Sequence, residues 1–160
     1  MKKLLKIIYL LLIPLYSAFG QGLIGVSIHD TTLVVGETIF VPVYVDSTLT
    51  GEGVSSYNLQ LSFNDNYFVV DSAFIDGTLT EGWGTFAYNT NTAERISIAA
   101  AGSTNLVGAG VLVKLRIRAI RRGATNLAFT DTTYNYFNEG SPRVVLDYGR
   151  INVLDKPTIQ

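Results

Sequence analysis

Ser56-Tyr57-Asn58-Leu59-Gln60-Leu61-Ser62-Phe63 alternates without a break. Tyr57, Leu59, Leu61 and Phe63 fall on one side, and Ser56, Asn58, Gln60 and Ser62 on the other. Successive side chains of an extended chain point to opposite faces, so the pattern predicts a half-buried strand over 54–63. Its apolar side belongs to a core and its polar side to a surface.

The same period recurs outward in both directions. Upstream, a run at 23–29 is followed by a turn at Val35-Gly36-Glu37 and a strand at 38–46, where Ile39, Val41, Val43 and Val45 share a face. Pro42 lies inside that strand and cannot donate to a ladder, which predicts a sheet edge or a local bulge. Downstream, Asn64-Asp65-Asn66 turns the chain into a strand at 67–74. Strands at 85–89 and 94–101 form a hairpin around Thr90-Asn91-Thr92. Gly108-Ala109-Gly110 opens a strand at 111–120, with Val113, Leu115 and Ile117 inward and Lys114, Arg116 and Arg118 outward. A strand at 126–130, a looser Tyr- and Asn-rich stretch at 132–143, and a last strand at 144–153, kinked at Gly149, complete the chain. About nine short strands with turn signals between them, and no convincing helix, predict an all-β, nine-stranded β-sandwich.

Composition bounds the chemistry. Of 160 residues, 12 are Lys or Arg, 13 are Asp or Glu, one is His and none is Cys. Three of the bases, Lys2, Lys3 and Lys6, precede an apolar stretch from Ile7 to Leu15, at most 7–19, and Ser17-Ala18-Phe19-Gly20 follows with small residues at Ala18 and Gly20. That is the layout of a secretory signal peptide, with removal expected before Gln21. The apolar run is shorter than the ~20 residues a spanning helix needs, so no stable membrane span is expected. The expected mature chain keeps 9 basic and 13 acidic side chains, a net charge of −4, with one domain at 21–154 and a polar tail at 155–160. A mildly acidic domain is poorly suited to nucleic acid, whose phosphates demand clustered positive charge. Without cysteine the exported fold rests on its core alone. The expected location is extracellular or at the cell surface.

Enzymatic and metal chemistry find little support. His29 adjoins Asp30, but neighbours on a strand face opposite ways, so Asp30 is badly placed to orient the imidazole. The acids are scattered among turns rather than paired across a cleft. Asn64-Asp65-Asn66 with Asp71 lacks the spacing of a calcium loop. Gly108-Ala109-Gly110 leads into a strand, with no Lys-Ser/Thr to make it a phosphate loop. The outward Lys114, Arg116 and Arg118 read as a solvated face that acids on a neighbouring strand would neutralise. We expect a non-enzyme with no cofactor and no metal.

Six pieces in order carry a family resemblance. They are 35–43 (Val-Gly-Glu-Thr-Ile-Phe-Val-Pro-Val), 56–64, Ile96-Ser97-Ile98-Ala99-Ala100-Ala101, 108–115 and Gly149-Arg150-Ile151-Asn152-Val153, with Phe137-Asn138-Glu139-Gly140 before the last. The series resembles the cohesin domain, the receptor module of cellulosome scaffoldins, from about Val26 to Val153. The resemblance implies a jelly-roll sandwich, in a superfamily shared with certain cellulose-binding modules. It implies dockerins as partners, small calcium-loaded helical modules of secreted polysaccharide-degrading enzymes, with the calcium on the partner.

The resemblance also places a contact face on Ser56, Asn58 and Gln60, then Ser97 and Ala99, with Tyr88 from the hairpin. Small polar residues on a flat face suit a docked helix: Asn and Ser fix its register, and Ala99 lets it approach. Many cohesins carry Asn and Asp where this chain has Ser56 and Asn58, larger apolar residues at Ser97 and Ala99, and often an acid near Gly102-Ser103. The alternative partner is polysaccharide, bound on exposed coplanar rings. Trp83, Tyr88, Tyr134, Tyr136 and Phe137 are the candidate rings, with Trp83, Tyr134 and Tyr136 as the expected sugar site; packing against the core is the competing role for them.

Overall fold

The structure is a computed structural model, and it describes residues 22–157. The expected signal peptide at 1–20, Gln21 and the last residues of the tail lie outside this range. The described residues form twelve strands: β1 (Ile24–Ile28), β2 (Thr31–Val34), β3 (Thr38–Val45), β4 (Ser56–Ser62), β5 (Phe68–Phe74), β6 (Thr85–Asn89), β7 (Arg95–Ala101), β8 (Gly110–Ala119), β9 (Gly123–Phe129), β10 (Tyr136–Phe137), β11 (Val144–Asp147) and β12 (Gly149–Leu154). They build two sheets, one ordered β11-β1-β3-β8-β5 and one ordered β2-β12-β9-β4-β7-β6 with β10 added beside β4. No described helix is long and apolar enough to cross a membrane.

The all-β reading holds, with twelve strands rather than nine. Two of the three extra strands arise where the chain passes from one sheet to the other, and the third, β10, is a two-residue strand in the Tyr- and Asn-rich stretch. β1 pairs in parallel with β11 in the first sheet, and β2 pairs in parallel with β12 in the second. β1 with β2, and β11 with β12, are thus each one long extended run broken at the crossing. Gly149 makes the passage possible: a Cβ there would stand 2.7–2.9 Å from Ile28 Cγ2, His29 O and Ile28 O. The expected kink at Gly149 is thus a change of sheet. The strand at 31–34 was not expected, because four residues carry too little alternation to declare themselves.

The apolar faces meet between the sheets. Val41, Val43 and Val45 of β3 and Leu115 and Ile117 of β8 pack against Tyr57, Leu59 and Leu61 of β4 and Ile96 and Ile98 of β7, all buried. Phe63 is only partly buried, because it lies past the end of β4 and stacks on Phe68 at 5.7 Å. Pro42 does not mark an edge: β3 is flanked by β1 and β8, with a bulge between Val43 and Tyr44. β1 is registered only against Val43, Tyr44 and Val45, so Pro42 lies beyond that ladder and costs it nothing.

Of the basic row on β8, only Arg116 is paired with an acid among the described residues; Arg118 is exposed. Arg116 Nε donates to Asp71 Oδ1 at 2.7 Å, and Lys114 Nζ donates to the Asp76 carbonyl at 2.8 Å. These contacts leave Lys114 and Arg116 half-buried rather than fully exposed. The bond from Arg116 holds the Asp71 carboxyl below its usual range, burial opposing and Ser72 assisting. His29 stacks on Tyr44 at 4.4 Å, while Asp30 accepts from the Arg150 backbone N–H at 2.8 Å. The two neighbours therefore serve different partners. Asn64-Asp65-Asn66 is closed by Asn66 N–H donating to Asn64 Oδ1 at 3.0 Å, an Asx turn.

Candidate functional site

The outer face of the second sheet is laid out by register. Asn58 of β4 lies opposite Ala99 of β7, and Ala99 opposite Ala87 of β6. Gln60 lies opposite Ser97, and Ser97 opposite Asn89. Ser56 begins a third row, with Ala101 and Thr85. Residues opposed in an antiparallel pair share a face, so these rows form one surface of small and amide side chains.

Two of the rows floor an open depression of about 460 Å³. Asn58, Gln60, Ser97 and Ala99 line it, as do Ala87 and, at its edge, Tyr88. Thr133, Tyr134 and Tyr136 make its opposite wall. Ser56 does not line it; that row continues the face beyond the rim. No charged side chain lines the depression among the described residues.

The wall is held by a side-chain ladder. β9 pairs with β4 only at Leu61 and Ser62, and β10 only at Tyr57 and Asn58, on the edge away from β7. Between them the Gln60 N–H donates to Asn135 Oδ1 at 2.8 Å, and the Thr130 N–H donates to the Gln60 carbonyl at 2.9 Å. Asn135 is fully buried, and its Nδ2 donates to the Asp131 carbonyl at 2.9 Å. One turn later Asn138 Oδ1 accepts from the Ser55 and Ser56 N–H groups at 3.0 and 3.3 Å. The asparagines of the looser stretch thus replace strand partners that β9 and β10 do not supply. Asp131 accepts from the Thr133 hydroxyl and then from its N–H, which hold its carboxyl below the usual range and fix the start of the wall.

On the face itself, Asn58 Nδ2 donates to Tyr136 Oη at 2.6 Å. Gln60 Nε2 donates to Ser97 Oγ at 3.2 Å, and Thr130 Oγ1 donates to Gln60 Oε1 at 3.1 Å. Gln60 is accordingly half-buried, not exposed.

Of the other expected site residues, Tyr88 reaches the depression from the opposite face of β6 and Trp83 stands elsewhere. Tyr88 is registered opposite Ile98, which is buried, so its side chain takes the inner face with Phe86, 6.3 Å away. It is 44% exposed only because β6 is the last strand of the sheet. It borders the depression without sharing the face of Asn58. Trp83 is 9% exposed and packs 6.0 Å from Tyr57. It fills the space that Gly102 leaves: a Cβ on Gly102 would meet the indole at 2.3–2.5 Å. Burial removes Trp83 from the sugar platform, and it removes Phe137 as well. Tyr134 is 54% exposed and Tyr136 half-buried. Beneath this cluster the Tyr57 hydroxyl is buried without a hydrogen-bond partner of good geometry, and burial pushes its ionisation well above the usual phenol range, weakly opposed by Thr80.

Ala87 and Asn89 were legible: alternation through Thr85–Asn89 puts Thr85, Ala87 and Asn89 on one face. Thr133, Asn135 and Asn138 were not, because their roles follow from which edge of β4 the returning chain reaches.

The description "Cohesin domain" matches residues 24–143. The chain belongs to the cohesin family. The match spans β1 to β10, including every residue of the depression, and ends before β11. Solved structures share the fold at low identity. The sixth cohesin of Acetivibrio cellulolyticus scaffoldin B, in complex with a Cel5 dockerin mutant, has a TM-score of 0.71 at 14% identity, covering 83% of this chain and 100% of that one. CaCohA2 from Clostridium acetobutylicum has a TM-score of 0.68 at 21% identity, covering 83% and 92%. A non-cellulosomal cohesin from the hyperthermophilic archaeon Archaeoglobus fulgidus has a TM-score of 0.64 at 23% identity, covering 83% and 92%. No curated protein matches this chain.

Proposed function

We propose that this cohesin is a secreted, non-catalytic receptor that seats the calcium-loaded dockerin of a polysaccharide-degrading enzyme on the outer face of β4, β7 and β6. One observation carries the reading: Asn58, Gln60, Ser97 and Ala99 converge with Ala87 in one open, uncharged depression. Ala99 and Ala87 lie side by side, which lets a helix backbone approach closely. Amide and hydroxyl groups flank them and fix the helix by hydrogen bonds. Asn58 Oδ1 has no partner among the described residues and remains available to an incoming donor. Similar folds solved with dockerins support the choice of partner. Export follows from the leader-like residues 1–20, with Gln21 as the mature N-terminus and the domain at 21–154 followed by a short polar tail.

The test is calorimetric titration of the mature domain against calcium-loaded dockerins from the same organism, repeated after chelation. Binding that chelation abolishes, with this domain's own melting temperature unchanged, is the expected result. Failure of every dockerin overturns the reading.

Direct polysaccharide binding is the second reading. Its support is Tyr134, exposed on the wall of the depression, with Tyr136 beside it and neutral amides opposite. Retention on insoluble polysaccharide, lost in Tyr134→Ala, is its expected signature.

A further inference from the structure

A second depression of about 440 Å³ adjoins the first. The two share Asn58, Thr133 and Tyr136, so the hydrogen-bonded Asn58–Tyr136 pair stands between them. Beyond that pair the floor is Thr132, Asn138, Glu139 and Gly140. Glu139 is the sole charged side chain lining either depression among the described residues. It is exposed and makes no ion pair among them.

The placement of Glu139 is fixed by its neighbours. Asn138 adopts φ +46° and Gly140 φ +101°, and the Gly140 N–H donates to the Phe137 carbonyl at 2.9 Å to close the turn. Asn138 Oδ1 holds Ser55 and Ser56, while its Nδ2 donates to the Gly53 and Ser141 carbonyls at 3.3 and 3.0 Å. A side chain tied at four points cannot move without breaking the β4 edge. The carboxylate of Glu139 is therefore presented from a rigid turn at one end of a groove that is otherwise neutral.

We infer that Glu139 is a specificity-determining residue of this face, and that the dockerin it selects carries a Lys or Arg positioned over the second depression while an uncharged polar surface lies over Asn58, Ser97 and Ala99. The inference rests on the dockerin reading above and adds the partner's charge pattern to it. A neutral groove contributes little salt dependence. The one carboxylate supplies almost all of it, since exposed pairs weaken once the screening length falls below their separation.

The experiment uses the mature domain and the calcium-loaded dockerin that binds it most tightly in the calorimetric panel. Glu139→Gln should weaken binding about three- to fivefold at 50 mM salt, the range of an exposed pair. Raising salt to 500 mM should weaken the wild type by about the same factor and leave Glu139→Gln almost unchanged. Glu139→Lys should lose more than Glu139→Gln. Melting temperatures of all three should agree, because the side chain bonds nothing among the described residues. Equal affinity of the wild type and Glu139→Gln at low salt overturns this inference and leaves the dockerin reading standing. Failure of every dockerin overturns both.

Discussion

Asn58 and Tyr136 are registered side by side on β4 and β10, and the Asn58 amide donates to the Tyr136 hydroxyl across 2.6 Å. The bond fixes the amide's rotation on an otherwise open face. It commits the amide nitrogen to Tyr136 and leaves the carbonyl oxygen for a partner. An asparagine so oriented is pre-organised, which reduces what binding must spend on ordering it.

Asn58→Ala should therefore weaken dockerin binding about 5- to 150-fold, the equivalent of ~1–3 kcal/mol for a partner group left unpaired at a desolvated contact. Tyr136→Phe keeps the carbonyl but frees its rotation, and should cost less than Asn58→Ala. Calorimetry on the two variants gives the order. The reverse order would assign the contact to the tyrosine.

Stability should follow the two faces of β4. Leu61 is fully buried, and Leu61→Ala should cost ~2–5 kcal/mol in denaturant unfolding. Gln60 bonds Ser97 and Thr130 at a half-buried position, so Gln60→Ala should cost only about 1 kcal/mol. Asn135→Ala empties a fully buried position, strips the Gln60 N–H of its acceptor and should cost ~1–3 kcal/mol. Equal costs at Leu61 and Gln60 would put β4 out by one residue, since a single slip exchanges its faces.

Acid should loosen the fold through Asp71. Its carboxyl is held below the usual range by Arg116, so the ion pair adds stability above the unfolded carboxylate range, near pH 4, and that stability is lost as pH falls further. The side chains of the pair are 43% and 35% exposed, so screening keeps the effect small. Melting curves from pH 7 to pH 2 should show a shallower decline in Asp71→Asn than in the wild type. An unchanged slope would assign acid sensitivity to other carboxylates.

Much of the fold was legible because one face of most strands is buried. β4, β7 and β8 declared both period and register: Tyr57, Leu59, Leu61, Ile96, Ile98, Val113, Leu115 and Ile117 are all buried as expected. What local pattern could not encode were events between sheets. The shift of β1 into β2 and of β11 into β12 leaves no mark on alternation; only Gly149 hinted at it, and its reason is the backbone of His29. Within the site, Asn58, Gln60, Ser97 and Ala99 followed from alternation and family resemblance together. Tyr88 did not, because its face depends on being registered with Ile98 rather than Ala99. Trp83 looked like a loop ring and is a wedge beside Gly102. Asn135 and Asn138 complete the edge of β4, a task set by where the chain returns rather than by its local sequence.

The central claim is that a helix of the partner packs across Ala99. Ala99 is exposed, lies between Asn58 and Ala87 in register, and supports nothing in the core. The most direct measurement is calorimetric titration of Ala99→Arg against the calcium-loaded dockerin that binds the wild type, with melting temperatures recorded for both proteins. The account predicts that Ala99→Arg loses measurable binding while its melting temperature stays at the wild-type value. Wild-type affinity in Ala99→Arg would contradict it.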